Sequence, residues 1–159
     1  MIPFTDFQIE RYMNRAIQLA LQHPHRLDLP YVGALVVSPD GKILGEGYRT
    51  LLSGTFLTLH AERVALDACP DDRVFGSYLV TTLEPCLPLR DSFGRKKRGN
   101  VFSSCSELIV ERRIAGVVVG YLDPCSSTEA GNGISYLRSR GVAVDFCHKF
   151  QRIIKSRLM

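Results

Sequence analysis

The run Ala115-Gly-Val-Val-Val-Gly-Tyr121 is apolar along its whole length. Such a run is typical of a central strand in a parallel sheet, because a strand of that kind is covered on both faces. A second β-rich run, Ser77-Tyr-Leu-Val-Thr-Thr-Leu83, comes earlier in the chain, and residues 105–113 between the two carry a helical pattern. A strand, a helix and a strand in this order predict a βα repeat of an α/β fold.

The flanking segments extend this pattern. Residues 32–37 and 42–48 flank the turn sequence Ser38-Pro-Asp-Gly41, which predicts a hairpin. A capping-box pattern from Thr5 to Gln8 precedes apolar residues at three- and four-residue steps, which predicts a first helix ending near residue 23. The remaining predictions are a loop over 49–59, helices over 60–69, 134–138 and 149–158, and a strand over 142–146.

The predicted order is therefore α-β-β-α-β-α-β-α-β-α. A hairpin followed by βα repeats predicts a mixed five-stranded sheet between layers of helices, a three-layer α-β-α sandwich. The chain has 159 residues, of which 45% are hydrophobic. That size and composition suit one compact core, so residues 1–159 are expected to form a single domain.

The composition disfavours several classes of protein. No stretch reaches 18 consecutive apolar residues, so a membrane-spanning helix is not expected. The N-terminus lacks a basic start followed by an apolar run, so no secretory signal is expected. The five cysteines are irregularly spaced, which favours a reduced, cytoplasmic protein with some thiols on a metal over a disulfide framework.

Three side chains of the metal-ligand type stand near the ends of predicted elements: His60, Cys86 and Cys105. One imidazole and two thiolates form a nitrogen and sulfur set that suits Zn²⁺. Three protein ligands leave a fourth position for water, the arrangement of a catalytic site, and zinc lowers the pKa of bound water to about 7. Helix N-termini, where His60 and Cys105 are predicted to lie, also favour thiolates.

Glu62 lies two residues after His60, in the first turn of the same predicted helix. From there its carboxylate can take a proton from water and deliver protons to a ring nitrogen and a leaving amine. Positioned proton transfer of this kind contributes roughly 10²–10⁴-fold to a rate. Glu62 is therefore the predicted catalytic residue. The alternative is an acid that only complements the helix dipole.

These residues stand in motifs that resemble the cytidine deaminase-like superfamily, whose zinc members carry His-x-Glu followed by Pro-Cys-x-x-Cys. Within it, the chain is most similar to the pyrimidine deaminase domain of riboflavin biosynthesis and its free-standing relatives. The resemblance runs from about residue 6 to residue 146. The matching stretches are Val32-Gly-Ala34, His60-Ala-Glu62 with Ala65-Leu66, Thr82-Leu-Glu-Pro-Cys86, Cys105 with Ile109, residues 114–120, Leu122-Asp-Pro124, and Gly131-Asn-Gly133 with Leu137 and Gly141-Val142.

The resemblance implies a hydrolase that acts on cyclic amidine C–N bonds and releases ammonia, with zinc as its cofactor. The implied substrate is a pyrimidine-type nucleotide or an aminopyrimidine of the riboflavin pathway, and the implied assembly is a homo-oligomer. Two alternatives stay open: a deaminase of bases in nucleic acid, such as tRNA adenosine, and an inactive zinc-binding subunit. Glu62 argues against the second alternative, because inactive members can lack the glutamate.

Two departures from the riboflavin-type pattern bear on the site. Eighteen residues separate Cys86 from Cys105, whereas the family usually places its second cysteine closer to the first. Lengthening a loop from roughly 8 to 18 residues costs only ~0.7 kcal/mol, against ~10–16 kcal/mol for structural zinc binding. Cys105 therefore remains the predicted third ligand. Leu29 and Val64 occupy positions where riboflavin-type deaminases have substrate-contacting asparagines, which leaves a different substrate open.

The insertion over 87–104 carries five basic residues and one acidic residue, an excess equal to the net charge of +4 for the whole chain. Such a segment can bind a phosphate or a nucleic-acid backbone. A solvated loop without a ligand is the alternative. The candidate substrate contacts are Arg95, Lys96, Lys97 and Arg98.

The other cysteines and histidines are expected to have no chemical role. The structural thiols are predicted to be Cys69, Cys125 and Cys147, and the surface histidines His23, His25 and His148. Glu84, directly before Pro85 and Cys86, is predicted to support the cysteine turn through hydrogen bonds.

Overall fold

The computed structural model describes residues 1–23, 29–87, 103–122 and 132–159. The strands in this part of the chain are β1 (Gly33–Val37), β2 (Ile43–Tyr48), β3 (Thr50–Leu51), β4 (Thr58–Leu59), β5 (Tyr78–Leu83), β6 (Gly116–Tyr121) and β7 (Ala143–Phe146). The helices are α1 (Asp6–Ala20), α2 (Ala61–Ala68), α3 (Asp71–Val74), α4 (Cys105–Glu111), α5 (Asn132–Ser139) and α6 (Gln151–Leu158). None of these helices is both long enough and apolar enough to span a bilayer.

Five of the strands form one mixed sheet in the order β2-β1-β5-β6-β7. β1 pairs antiparallel with both β2 and β5, while β6 pairs parallel with β5 and β7. The predicted hairpin and the predicted central parallel strand are therefore both confirmed. β1 is buried along its whole length and β6 along all but its last residue, as expected for strands covered on both faces.

Helices cover both faces of the sheet, which confirms the predicted three-layer α-β-α sandwich. On one face α2, α4 and α5 pack against the strands, with Leu66, Ile109 and Leu137 fully buried. On the other face α1 and α6 do the same, with Met13 and Ile154 fully buried. His60 and Glu62 at the start of α2 and Cys105 at the start of α4 belong to the first of these layers.

Several short elements differ from the expected ones. The predicted loop over 49–59 contains the ribbon of β3 and β4, in which Leu52 donates its N–H to the Leu57 carbonyl at 2.8 Å. Pro70 follows α2 and is also the N-cap residue of the short helix α3. A 3₁₀ turn, His148–Phe150, precedes α6. Two-residue strands and single turns contain too few residues to show a hydrophobic period, so the sequence does not reveal them.

Two glycines of β2 allow α2 to lie close to the sheet. A Cβ atom on Gly45 would lie 2.2 Å from the Ala65 carbonyl oxygen, and one on Gly47 would lie 2.5 Å from the Ala61 carbonyl oxygen. A larger residue at either position would push the helix outward, because glycine in a strand permits close approach of another backbone. β2 therefore sets the distance between the sheet and α2.

Candidate active site

The start of α2 supplies a histidine and a glutamate to one pocket. His60 is the N-cap residue of α2 and has an extended backbone conformation. The residue is exposed to solvent. Glu62 is the second residue of the helix and is only 3% exposed. Both side chains line the same pocket, together with Ala61 between them. A helix start therefore places an accessible imidazole beside a desolvated carboxyl group.

Cys86 follows the end of β5 by three residues, and the start of α4 holds it in place. Ser106 donates its backbone N–H to the Cys86 carbonyl at 3.0 Å. The Ser106 hydroxyl also donates to the Pro85 carbonyl at 3.0 Å. These two bonds tie the turn that carries Cys86 to the helix that carries Cys105.

Glu84 holds the same turn from the side of α5. Its side chain is buried, and its Oε1 accepts the backbone N–H groups of Gly133 at 3.1 Å and Ile134 at 3.4 Å. A Cβ atom on Gly133 would lie 2.2 Å from the Pro85 carbonyl oxygen, so glycine allows α5 to approach this closely. The hydrogen bonds of Glu84 have the supporting character that the sequence predicted.

Cys105 is the first residue of α4, and its side chain is buried at 3% exposure. The helix begins with a capping box in which Ser104 and Glu107 bond reciprocally. The pattern Ser104-Cys-Ser-Glu107 is the sequence signature of this motif, so the start of α4 can also be predicted from the sequence. The capping box fixes where the helix begins, and so where the Cys105 side chain leaves the backbone.

The three candidate ligands converge at distances that suit zinc. His60 Nδ1 lies 3.6 Å from Cys86 Sγ and 3.4 Å from Cys105 Sγ. All three donor atoms lie within 4.8 Å of one another. A tetrahedral zinc site has Zn–N near 2.0–2.1 Å and Zn–S near 2.3 Å, which puts a nitrogen and a sulfur about 3.6 Å apart. The donor set and its spacing therefore fit a zinc ion.

The two cysteines of the cluster differ in acidity. Their mutual hydrogen bond, together with one to His60, lowers the pKa of Cys86 to about 4. The same pairing with Cys86, together with burial, raises the pKa of Cys105. The hydrogen bond to Cys86 also raises the pKa of His60. Without metal, the site thus holds one thiolate and one thiol at neutral pH, and the thiolate is the form that binds metal.

Glu62 has a pKa close to neutrality. Burial is the main cause, and it raises the pKa of this carboxyl group to about 7. Its Oε2 accepts a hydrogen bond from the Cys105 thiol at 3.6 Å. A general acid and base is most effective when its pKa lies near the working pH, because it can then both accept and release a proton.

The pocket also contains a cation that the sequence analysis did not identify. Arg49 directly follows β2 and lines the pocket with Pro30, Glu62 and Glu84. Its Nη1 donates to the Pro30 carbonyl at 3.0 Å, which fixes the side chain against the pocket wall. The only sequence signal is a charged residue directly after a strand. That signal is weak, because no fixed spacing connects Arg49 to His60.

The remaining candidates lie apart from the cluster or outside the described residues. Cys69 and Cys147 are buried free thiols, in keeping with a structural role. Leu29 is 51% exposed, and its neighbour Pro30 lines the pocket. The candidates that lie outside the described residues are Arg95, Lys96, Lys97, Arg98, Cys125 and His25.

Two of the predicted surface histidines are described by the structure. His148 is exposed, as expected. His23 is half-buried, because its ring stacks on Tyr31 with centroids 3.3 Å apart. His23 therefore lies at the surface, as predicted, but only part of it is exposed to solvent.

The family model for the zinc-binding region of cytidine and deoxycytidylate deaminases matches residues 7–121. The chain belongs to this deaminase family. The match confirms the resemblance inferred from the motifs. It includes all three members of the cluster, His60, Cys86 and Cys105. The family and the donor cluster together identify zinc as the cofactor.

Similar proteins act in riboflavin biosynthesis. The riboflavin biosynthesis protein RibD of Actinobacillus pleuropneumoniae is 38% identical over 138 residues, which cover 84% of this chain and 31% of RibD. The diaminohydroxyphosphoribosylamino-pyrimidine deaminase of Buchnera aphidicola is 33% identical over 134 residues, which cover 84% of this chain and 80% of that protein. The chain therefore spans about a third of the RibD protein but most of the Buchnera protein.

A solved structure shows the same fold. It is a diaminohydroxyphosphoribosylaminopyrimidine deaminase/5-amino-6-(5-phosphoribosylamino)uracil reductase from Thermotoga maritima. The match has a TM-score of 0.71 at 31% identity, and it covers 95% of this chain and 39% of that chain. The shared fold agrees with the sandwich described above.

Proposed function

We propose that this protein is a zinc-dependent hydrolytic deaminase of a pyrimidine-type substrate. It would replace an exocyclic amine on the ring with a carbonyl and release ammonia. The observation that carries the proposal is the convergence of His60 Nδ1, Cys86 Sγ and Cys105 Sγ beside the buried carboxyl group of Glu62. The names of the relatives, which include pyrimidine deaminases, support the same reaction.

In this proposal His60, Cys86 and Cys105 hold the metal, and Glu62 moves the protons. A bound zinc ion supplies a Lewis acid that makes water nucleophilic at neutral pH. Glu62 accepts the proton that the attacking water loses and delivers it to the ring nitrogen next to the reacting carbon. It then carries the second proton of that water to the amine, which leaves as ammonia. Its pKa of about 7 suits both directions of transfer.

Arg49 is the proposed contact for an anionic group of the substrate. Its guanidinium lies on the wall of the pocket that also contains Glu62. Guanidinium groups bind phosphate through paired hydrogen bonds, and the relatives' names specify phosphoribosyl substrates. A nucleotide-like substrate with a phosphorylated sugar is therefore proposed. The four basic residues Arg95, Lys96, Lys97 and Arg98 remain candidates for the same phosphate.

The structure constrains the chemical identity of the substrate's ring less than it constrains the type of reaction. Leu29 and Val64 stand where riboflavin-type deaminases have asparagines that contact substrate, so two polar contacts of that subfamily are replaced by apolar groups. A site that loses hydrogen-bonding groups no longer selects strongly for the substrate groups that they would bind. The riboflavin-pathway aminopyrimidine is the first candidate substrate, and a pyrimidine nucleotide is the second.

An ammonia-release screen tests the proposal. The zinc-loaded protein is incubated with the riboflavin-pathway aminopyrimidine, with cytosine, adenine and guanine nucleotides, and with short single-stranded RNA. The expected result is zinc-dependent ammonia release from one of the small pyrimidine substrates. Release from RNA alone would replace this proposal with a nucleic-acid deaminase, and no release from any of them would favour an inactive zinc-binding subunit.

We also infer a single domain over residues 1–159 that assembles as a homo-oligomer and works in the cytoplasm. The superfamily resemblance supports the assembly. The odd number and irregular spacing of the five cysteines support a reducing compartment. Light scattering on the purified, reduced protein tests the assembly: a dimer or larger species is expected, and a monomer at all concentrations would exclude it.

A further inference from the structure

Outside the ligand cluster, two further side-chain contacts link α2 to the residues that flank α4, one at each end of the helix pair. Near the site, Arg63 Nη2 donates to both the carbonyl oxygen and the hydroxyl of Ser103, each at 3.0 Å. At the far end, Arg112 Nη2 lies 2.9 Å from Asp67 Oδ1. The two contacts connect the same pair of helices, but only the first is close to the metal ligands.

The Arg63 contact acts on the chain just before Cys105. Ser103 precedes Ser104, the N-cap residue of α4, and Cys105 is the first residue of that helix. Arg63 follows Glu62 directly in the first turn of α2. A side chain of the helix that carries His60 therefore holds the backbone two residues before the Cys105 ligand.

Sequence proximity does not fix the position of Cys105 relative to Cys86. Cys86 and Cys105 are separated by 18 residues, and a chain of that length can return to many positions at little difference in free energy. The bonds of Ser106 tie the start of α4 to Cys86. These bonds do not connect the start of α4 to the start of α2, where His60 lies.

We propose that Arg63 is a positioning residue of the metal site: by holding Ser103 against α2, it sets the distance between Cys105 Sγ and His60 Nδ1. The inference rests on the proposed zinc ligands. Residues that orient metal ligands without touching the metal typically contribute about 10–100-fold to metal affinity when they are removed. The expected effect of losing Arg63 is therefore a weaker zinc site in a protein that is still folded.

Zinc affinity of the reduced full-length protein tests this role. Zinc dissociation constants are measured by competition with a chromophoric chelator for the wild type, Arg63→Met, Arg63→Lys and Asp67→Asn. Asp67→Asn is the matched control, because it removes the charge from the other contact between α2 and α4, away from the cluster. Thermal unfolding of each metal-free variant establishes that the folded form dominates, so that affinity does not report global stability.

The expected result is about 10–100-fold weaker zinc binding by Arg63→Met, no resolvable change in Asp67→Asn, and an intermediate value for Arg63→Lys, whose ammonium can still donate to Ser103. Equal affinity in Arg63→Met and Asp67→Asn would overturn the inference. If Arg63→Met does not fold, Arg63→Lys decides in the same way against the control. A wild type that binds no zinc, or a Cys105→Ser variant that keeps full affinity, would instead contradict the proposed ligands themselves.

Discussion

The backbone N–H of Cys105 donates to the sulfur of Cys86 across 3.3 Å, although 18 residues separate the two cysteines in the sequence. The two free thiol groups also pair through a hydrogen bond, which moves their acidities in opposite directions, with the pKa of Cys86 lowered and that of Cys105 raised. The two sulfurs are therefore not equivalent before the metal binds. One is ready to bind it, and the other must first lose a proton.

Zinc binding should release protons and strengthen as the pH rises. Cys86, with a pKa of about 4, is already deprotonated at neutral pH and has no proton to lose. Cys105 and His60 have raised pKa values, so each holds a proton to higher pH than usual and must release it to bind zinc. For each proton released, the zinc affinity should rise roughly tenfold per unit increase in pH.

Calorimetry in buffers of different ionisation enthalpy measures this release directly. Between about pH 6 and pH 8 we expect at least one proton to be released per zinc ion bound. The zinc dissociation constant should fall as the pH rises over this range. A Cys69→Ser variant is the control, since Cys69 is a buried thiol outside the cluster, and it should behave as the wild type does. A pH-independent dissociation constant would be incompatible with the proposed ligands.

Replacing Glu62 should separate metal binding from catalysis. Glu62→Gln keeps the size of the side chain but cannot accept or deliver the proton, so turnover should fall by roughly 10²–10⁴-fold. Zinc content should stay at the wild-type level, because Glu62 is not one of the proposed ligands. Ammonia release and zinc quantification on the same sample measure both quantities.

The matched control for Glu62→Gln is Glu111→Gln, an exposed glutamate at the end of α4, which should retain full turnover. Unchanged turnover in Glu62→Gln would remove this residue from the mechanism. Loss of zinc together with activity would show that its carboxyl group supports the metal site instead.

Glu84 should contribute to stability through its contact with α5. Glu84→Ala leaves the N–H groups of Gly133 and Ile134 without the carboxylate that they now bond, and an unsatisfied buried donor costs about 1–3 kcal/mol. The midpoint of urea unfolding at saturating zinc should therefore fall. Glu84→Gln retains a carbonyl acceptor and should lose less. A Glu84→Ala midpoint equal to that of Glu111→Ala would contradict this role.

The sequence predicts most of the sheet because its strands are long enough to show their pattern. β6 is apolar throughout, and the turn Ser38-Pro-Asp-Gly41 marks the hairpin of β1 and β2. The ribbon of β3 and β4 escapes prediction, since two residues per strand show no period. Short elements of this kind are fixed by hydrogen bonds to neighbouring segments.

The same distinction applies to the site. The candidate ligands can be predicted, since imidazole and thiol groups at the ends of elements are few and chemically specific. Two contacts cannot be predicted in this way, because no local pattern connects their residues. Arg49 and Pro30 are 19 positions apart in the sequence, and Arg63 and Ser103 are 40 positions apart. Arginine is common on protein surfaces, so its presence in a sequence does not reveal that it faces a pocket or a ligand-bearing helix.

X-ray absorption at the zinc edge of the reconstituted, reduced protein tests the central assignment most directly. We expect two sulfur neighbours at about 2.3 Å and two nitrogen or oxygen neighbours at about 2.0–2.1 Å. In Cys105→Ser protein that still holds zinc, one sulfur neighbour should remain. A zinc environment without sulfur, or two sulfur neighbours that persist in the Cys105→Ser protein, would contradict the assignment of His60, Cys86 and Cys105 as the metal ligands.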